Sequence, residues 1–197
     1  MTDIVARLLA DLPAQEVRWS RPALVAIMGL PGAGKTEIAS FLAERFPLVQ
    51  LSTDTIRRKY GLASGPATHE VMYQVAGKLL PHKASLVLDG IHLGRHDRDR
   101  VRAVASEYKA YAAIIYATAA REIIEERLQQ RLRQSQRTTD DGKHVITPEH
   151  FVAIASYLEE PSSDEEIFVI DTSHDAIDTQ MSRLEHQLRQ LLTGSQL

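Results

Sequence analysis

The sequence predicts a doubly wound α/β fold, a five-stranded parallel sheet covered by helices on both faces. Three observations carry this. Short apolar runs at 24–28, 48–51, 86–88, 111–116 and 167–170 read as strands. Helix-like stretches separate them, and connections of that length are crossovers between parallel strands. The chain has 197 residues, 44% hydrophobic and 25% charged, which suits one soluble globular unit with its own core.

Taken in order, Ile4, Val5, Leu8, Leu9 and Leu12 have helical spacing that Pro13 ends, so residues 1–22 are expected to be a helical extension to a main domain at 23–197. Helices are expected at 36–46, 53–60, 70–80, 98–108, 119–133, 148–157 and 176–192. Two segments break the alternation. Residues 61–68 hold two glycines and a proline, and the polar stretch at 134–147 is long enough to be a mobile lid.

Composition narrows the function. Zero cysteines exclude thiol catalysis and cysteine zinc sites and fit a reducing compartment, so a cytoplasmic location is expected. No run reaches the roughly 18 apolar residues of a membrane span, and no signal-peptide layout opens the chain, so no membrane partner is expected. Net charge is only −3, but 17 of 23 basic residues are Arg, nine of them between Arg95 and Arg137. Guanidinium groups suit phosphate and carboxylate, which suggests anion handling.

The sharpest feature is Gly29-Leu30-Pro31-Gly32-Ala33-Gly34-Lys35-Thr36, which fits G-x-x-x-x-G-K-[ST] between an apolar strand and an amphipathic helix. Its glycines let successive backbone N–H groups converge on phosphate oxygens, and the helix start adds its dipole. Lys35 would reach the β- and γ-phosphates and Thr36 would offer its hydroxyl to Mg²⁺. A chance match, from this chain's own frequencies, is about 0.2%. ATP is therefore the expected nucleotide. No N-K-x-D guanine signature is present. The strand 85–89 ends at Asp89, placed to steady the magnesium shell through water, but Gly90 follows where a hydrolytic motor would carry Glu.

Asp54, in Thr53-Asp54-Thr55-Ile56-Arg57, is expected just past the end of the second strand, beside the first, at the edge where ligands of such sheets gather. There it could take the proton of an attacking hydroxyl, while Arg57 holds the acceptor or a phosphate. Ser52, Thr53 or Asp54 could instead simply cap the helix.

The run from Gly29 through Asp54-x-x-Arg57 to Asp89 resembles the P-loop kinases grouped with polynucleotide 5′-hydroxyl kinase, zeta-toxin-like and gluconate-kinase-like enzymes, an AAA-type ATP-binding domain. The resemblance covers roughly residues 23–175 and implies a P-loop kinase fold. It implies that Asp54 is the general base and Arg57 an acceptor-binding group, with His92 and Arg98 also on the acceptor side. It further implies that Arg127 and Arg131, in R-x-x-x-R before the lid, stabilise the transferring phosphoryl group. Tyr157-Leu158-Glu159-Glu160-Pro161 and Ile170-Asp171-Thr172-Ser173 are weaker echoes of the same family.

Each of these has a plainer alternative. Glu122, Glu125 and Glu126 could pair with Arg127 on a surface helix. Asp97 and Asp99 cancel much of the charge of Arg95, Arg98, Arg100 and Arg102, leaving Arg98 as one expected ligand contact. His92 and His96 lack a third metal ligand, and the acidic run 159–166 reads as a solvated turn. The expected activity is ATP- and Mg²⁺-dependent phosphoryl transfer to a hydroxyl of a small molecule, nucleotide or polynucleotide end, nucleic acid entering only as substrate. The rivals are a nucleoside-monophosphate-type kinase, faintly suggested by Arg137-Thr138-Thr139-Asp140-Asp141, and a non-catalytic nucleotide switch.

Overall fold

The structure is a computed structural model, and it describes residues 2–13, 19, 21–63, 65–135, 146–173 and 177–193. Most of the expected lid at 134–147, including the stretch from Arg137 to Asp141, lies outside the described residues. The elements are α1 (Thr2–Asp11), β1 (Ala23–Met28), α2 (Lys35–Arg45), β2 (Leu48–Ser52), α3 (Thr53–Tyr60) and α4 (Pro66–Leu79). After a 3₁₀ turn at Leu80–His82 come β3 (Ser85–Asp89), α5 (Arg95–Glu107), β4 (Tyr111–Thr118), α6 (Arg121–Ser135), α7 (Pro148–Ala155), β5 (Ile167–Asp171) and α8 (Ile177–Thr193). All five strands are parallel, in the order β2-β3-β1-β4-β5. The doubly wound sheet is as the sequence predicts.

The strand order corrects one expectation. β2 does not lie beside β1, because β3 separates them. Burial explains the choice: every residue of β3 is buried, whereas Gln50 and Ser52 of β2 are partly exposed. A strand covered on both faces belongs in the middle of the sheet, and one with polar positions tolerates its edge. The register then sets the carboxyl ends of three strands level, with Ile27 and Ser52 both opposite Asp89.

Alternate residues of β1 feed two apolar layers. Leu24, Ala26 and Met28 pack with Val71 and Met72 of α4, Val101 of α5, and Val5 and Leu8 of α1. Val25 and Ile27 pack with Ile38 and Leu42 of α2, Ile124 of α6, and Leu184 and Leu188 of α8. The N-terminal helix is also tied to α3, where the Tyr60 hydroxyl donates to Asp11 at 2.6 Å and Lys59 pairs with the same carboxylate at 2.9 Å. The helix expected from residue 70 begins at Pro66, since proline's fixed φ suits the first helical position.

The acidic run 159–166 is not a plain solvated turn, and Arg98 is not a ligand contact. Arg98 is fully buried (0% exposed) and grips Glu165 with two hydrogen bonds of 2.8 and 2.7 Å. Its remaining nitrogen donates to the carbonyls of Leu93 and Glu159 at 2.8 and 3.1 Å. Arg102 adds a bond of 3.0 Å to Glu165, and Arg95 pairs with Asp164 at 2.6 Å. Local charge alternation cannot reveal this, because the partners lie more than 60 residues away in sequence.

Breaking the buried pair leaves an uncompensated charge inside. Arg98→Met should lower unfolding stability by about 3 kcal/mol in denaturant titration. The bonds from Arg98 hold Glu165 well below its ordinary value of 4.5, at about 2. A depressed carboxyl pKa stabilises the fold above the unfolded value, and that share is lost as pH falls from about 4.5 toward 2. Stability of the wild type should therefore drop across that window more steeply than stability of the Arg98→Met variant.

Candidate nucleotide and acceptor site

The loop from Gly29 to Thr36 leaves β1 and enters α2 at the level carboxyl ends of the sheet. Gly29 has φ 142° and lies so near β4 that a Cβ would sit 2.3 Å from the Ala117 carbonyl oxygen, a backbone atom that cannot yield. Gly34 has φ 83°, and a Cβ there would press on Thr172 at 3.0 Å. Glycine at both positions is therefore a steric requirement.

Lys35 folds back so that its ammonium donates to the Leu30 carbonyl at 2.9 Å. Loss of hydration lowers its pKa to about 8, against the raising effect of Asp89 and Asp54; Arg131 adds to the lowering. The Thr36 hydroxyl donates to Asp89 Oδ2 at 3.0 Å, and burial raises the Asp89 pKa despite that bond. A hydroxyl and a hard carboxylate held together beside a phosphate loop suit Mg²⁺, which keeps several waters and takes few protein ligands.

Loop, helices and strand ends enclose a cavity of about 580 Å³. Lys35, Thr36, Asp54, Arg57, Asp89 and Arg131, all singled out from the sequence, line it. Asp54 is exposed to the cavity and ion-paired with Arg57 of the same helix. Ser52, not Asp54, stands at the N-cap of that helix, and its side chain makes no capping bond. Arg131 stands one turn beyond Leu128 on the α6 wall.

Three expected residues lie elsewhere. Arg127 braces the loop from behind rather than facing the cavity. Its guanidinium donates to the Gly32 carbonyl at 3.1 Å, the Thr172 hydroxyl at 2.8 Å and the Thr172 carbonyl at 2.7 Å. The surface-helix alternative fails too, for Glu125 pairs with Arg121. Thr172, from the Ile170–Ser173 echo, lies within hydrogen-bonding distance (3.2 Å) of the Ala33 carbonyl and so completes the brace. Arg98 is sequestered with Glu165, as described above.

His92 is the third. It is 1% exposed, with φ 43°, and its Nδ1–H donates to the Ile27 carbonyl at 3.2 Å under the base of the loop. Burial lowers its pKa to about 3, so the imidazole is neutral. The histidine that does reach the cavity is His69, whose ring meets that of His92 edge-on at 5.2 Å. The signal for His69 was present in Pro66: a helix starting there puts Thr68 and His69 in its first turn, at the cavity. Gly90 separates the two rings from the strand, since a Cβ would sit 2.8 Å from His92 and 3.0 Å from His69. The wall formed by Ile154 of α7 and by Tyr157 just past its end was not foreseen as part of the cavity, although Tyr157 belongs to the weaker family echo, because nothing in the local spacing tells which face meets the sheet edge.

The Lys35 geometry has a pH consequence. Bound phosphate favours the ammonium form, so nucleotide binding takes up a proton once the free lysine is deprotonated. Affinity for ATP should be flat below pH 7 and fall as pH rises above about 8, by up to about tenfold per unit. Fluorescent-nucleotide titrations from pH 6.5 to 9.5 would check this; a flat profile throughout contradicts the assignment.

Comparison with known proteins supports the same frame. No curated protein matches the sequence. Among solved structures, Kti12 of Chaetomium thermophilum, in complex with ADP-AlF3, is 18% identical with TM-score 0.65 over 87% of this chain and 100% of its own. The APS kinase CysC of Mycobacterium tuberculosis, in complex with AMPPNP and APS, is 20% identical with TM-score 0.62 over 86% and 98%. A gluconokinase of Sinorhizobium meliloti is 18% identical with TM-score 0.58 over 85% and 96%. At these identities the likeness is one of fold, a P-loop fold shared with kinases. A family model described as AAA domain matches residues 24–150, well over half the chain, and the protein belongs to that family.

Proposed function

We propose that the protein is an ATP-dependent kinase that transfers the γ-phosphate to a hydroxyl group. The observation that carries this reading is Asp54. Its carboxylate opens into the same cavity as Lys35 and the Thr36–Asp89 pair, and it is not the N-cap residue of its helix. A phosphate acceptor is already anionic and needs no base, whereas a hydroxyl gains from a carboxylate within reach.

Lys35 and the loop amides hold the β- and γ-phosphates, with the amides aimed by Arg127 and Thr172 behind them. The acceptor oxygen attacks the γ-phosphorus as the bond to the ADP oxygen breaks. The hydroxyl proton passes to a carboxylate oxygen of Asp54, and Arg57 steadies that carboxylate. Arg131 offsets charge on the transferring group from the α6 side. Mg²⁺ would be held by Thr36 directly and by Asp89 through water, and when bound it neutralises charge on the phosphate oxygens. Gly90, where a hydrolytic enzyme would carry an acid, offers no group to activate water.

Release of ADP with and without candidate acceptors tests the reading. Lys35→Ala should abolish transfer. Asp54→Asn should retain ATP affinity and lose roughly 10²–10⁴ in rate; transfer near the wild-type rate by that variant removes the base. Best turnover with AMP or CMP would replace hydroxyl by phosphate as the acceptor group. Tight nucleotide binding that no acceptor converts to turnover would make the protein a switch.

A further inference from the structure

His92 combines features that each cost stability. It is 1% exposed and has φ 43°, a left-handed conformation uncommon outside glycine. A carbonyl can only accept, so the bond of 3.2 Å to Ile27 fixes the proton on Nδ1 and leaves a lone pair on Nε2. That Nε2 is buried with no hydrogen-bond partner, and so is Nε2 of His69, whose ring stands edge-on against it. Room for the two rings further requires that Gly90 lack a Cβ. A residue kept in place against strain and an unpaired nitrogen points to function rather than to stability.

What the arrangement secures is the start of the phosphate loop. The pairing of β1 with β3 ends at Ile27, opposite Asp89. Past that rung the two chains part, one into the loop and the other toward α5. Two bonds carry the join forward: Gly29 N–H to the Ile91 carbonyl at 3.3 Å, and His92 Nδ1–H back to the Ile27 carbonyl. They run in opposite directions, so neither segment can slide along the other without breaking one. Gly29 has no slack with which to absorb a shift, because the Ala117 carbonyl oxygen occupies the space a Cβ would need. Farther along, the segment is tied at Leu93, whose carbonyl accepts from Arg98 at 2.8 Å and from the Glu159 N–H at 3.2 Å.

We infer that His92 is a positioning residue for nucleotide binding, its imidazole clasping the end of β1 and so holding the phosphate loop against the segment after β3. It acts through Gly29 and the backbone that follows. Loop amides have to meet phosphate oxygens to within about half an ångström, so a loop start free to shift binds phosphate less tightly. The inference rests on nucleotide binding by the loop and is independent of the acceptor.

The test titrates the full chain with AMPPNP and magnesium by calorimetry. Thermal unfolding without nucleotide is measured beside it, which separates a stability loss common to two variants from an affinity loss confined to one. His92→Leu keeps an apolar group of similar size and removes the donor; it should weaken AMPPNP at least about tenfold. His92→Asn returns an N–H near the Nδ1 position and suits positive φ, so it should stay within about threefold of the wild type. Wild-type affinity in His92→Leu, or an equal loss in both variants, overturns the inference. Should His92→Leu not fold, the wild type labelled with ¹⁵N-histidine decides. His92 should then appear as the neutral Nδ1–H tautomer, with an Nδ1 signal that shifts when AMPPNP binds; the Nε2–H tautomer or an unmoved signal overturns the inference. A wild type that binds no AMPPNP overturns the nucleotide reading as well. Affinity lost in His92→Leu but no ADP formed by the wild type with any acceptor upholds the positioning role and counts against phosphoryl transfer alone.

Discussion

The site depends on what the carboxyl end of β3 collects. Asp89 lies opposite both Ile27 and Ser52, so it is level with the ends of two other strands. Its side chain accepts from Thr36 at the head of α2, and its backbone carbonyl accepts from Thr53 at the head of α3 at 3.4 Å. Two residues later the Ile91 carbonyl accepts from Gly29, where the phosphate loop begins. Both ends of the phosphate loop and the head of α3 are thereby fixed to one strand terminus. That fixing is possible because β3 is buried along its whole length and cannot shift without unpacking both apolar layers.

What was legible in the sequence followed from short-range requirements. Gly29–Thr36 could be read because steric limits and hydrogen-bond geometry act within eight neighbouring residues, and the strand runs because burial acts along each one. Asp54 and Arg57 were legible for the same reason, three apart on one helix. The order of the strands was not, since it compares burial among segments that never adjoin. Arg98 misled because its local neighbours are charged and soluble-looking, while its partner Glu165 sits 67 residues on. His92 misled because its backbone conformation, φ 43°, turns the ring under the loop instead of outward.

The arginine surplus thus resolves into distinct tasks. Arg98, with Arg102 and Arg95, answers carboxylates of the chain itself. Arg127 answers backbone carbonyls, tying Gly32 of the loop to Thr172. Arg57 and Arg131 remain with the cavity. A guanidinium's planar fork serves all three, because carboxylates, paired carbonyls and phosphates present oxygens at similar spacing. Composition alone registers the surplus and is blind to that division.

The anchoring of the backbone after Tyr157 through Glu159, Leu93 and Arg98 has a consequence for substitution. The Thr36–Asp89 bond hangs from the end of β3, while the cavity wall that carries Tyr157 is pinned separately by a buried ion pair. Side chains on that wall can be exchanged without disturbing the bonds that aim Lys35 or Thr36. A scaffold so partitioned lets the cavity surface around Tyr157 change while the geometry at the end of β3 stays fixed.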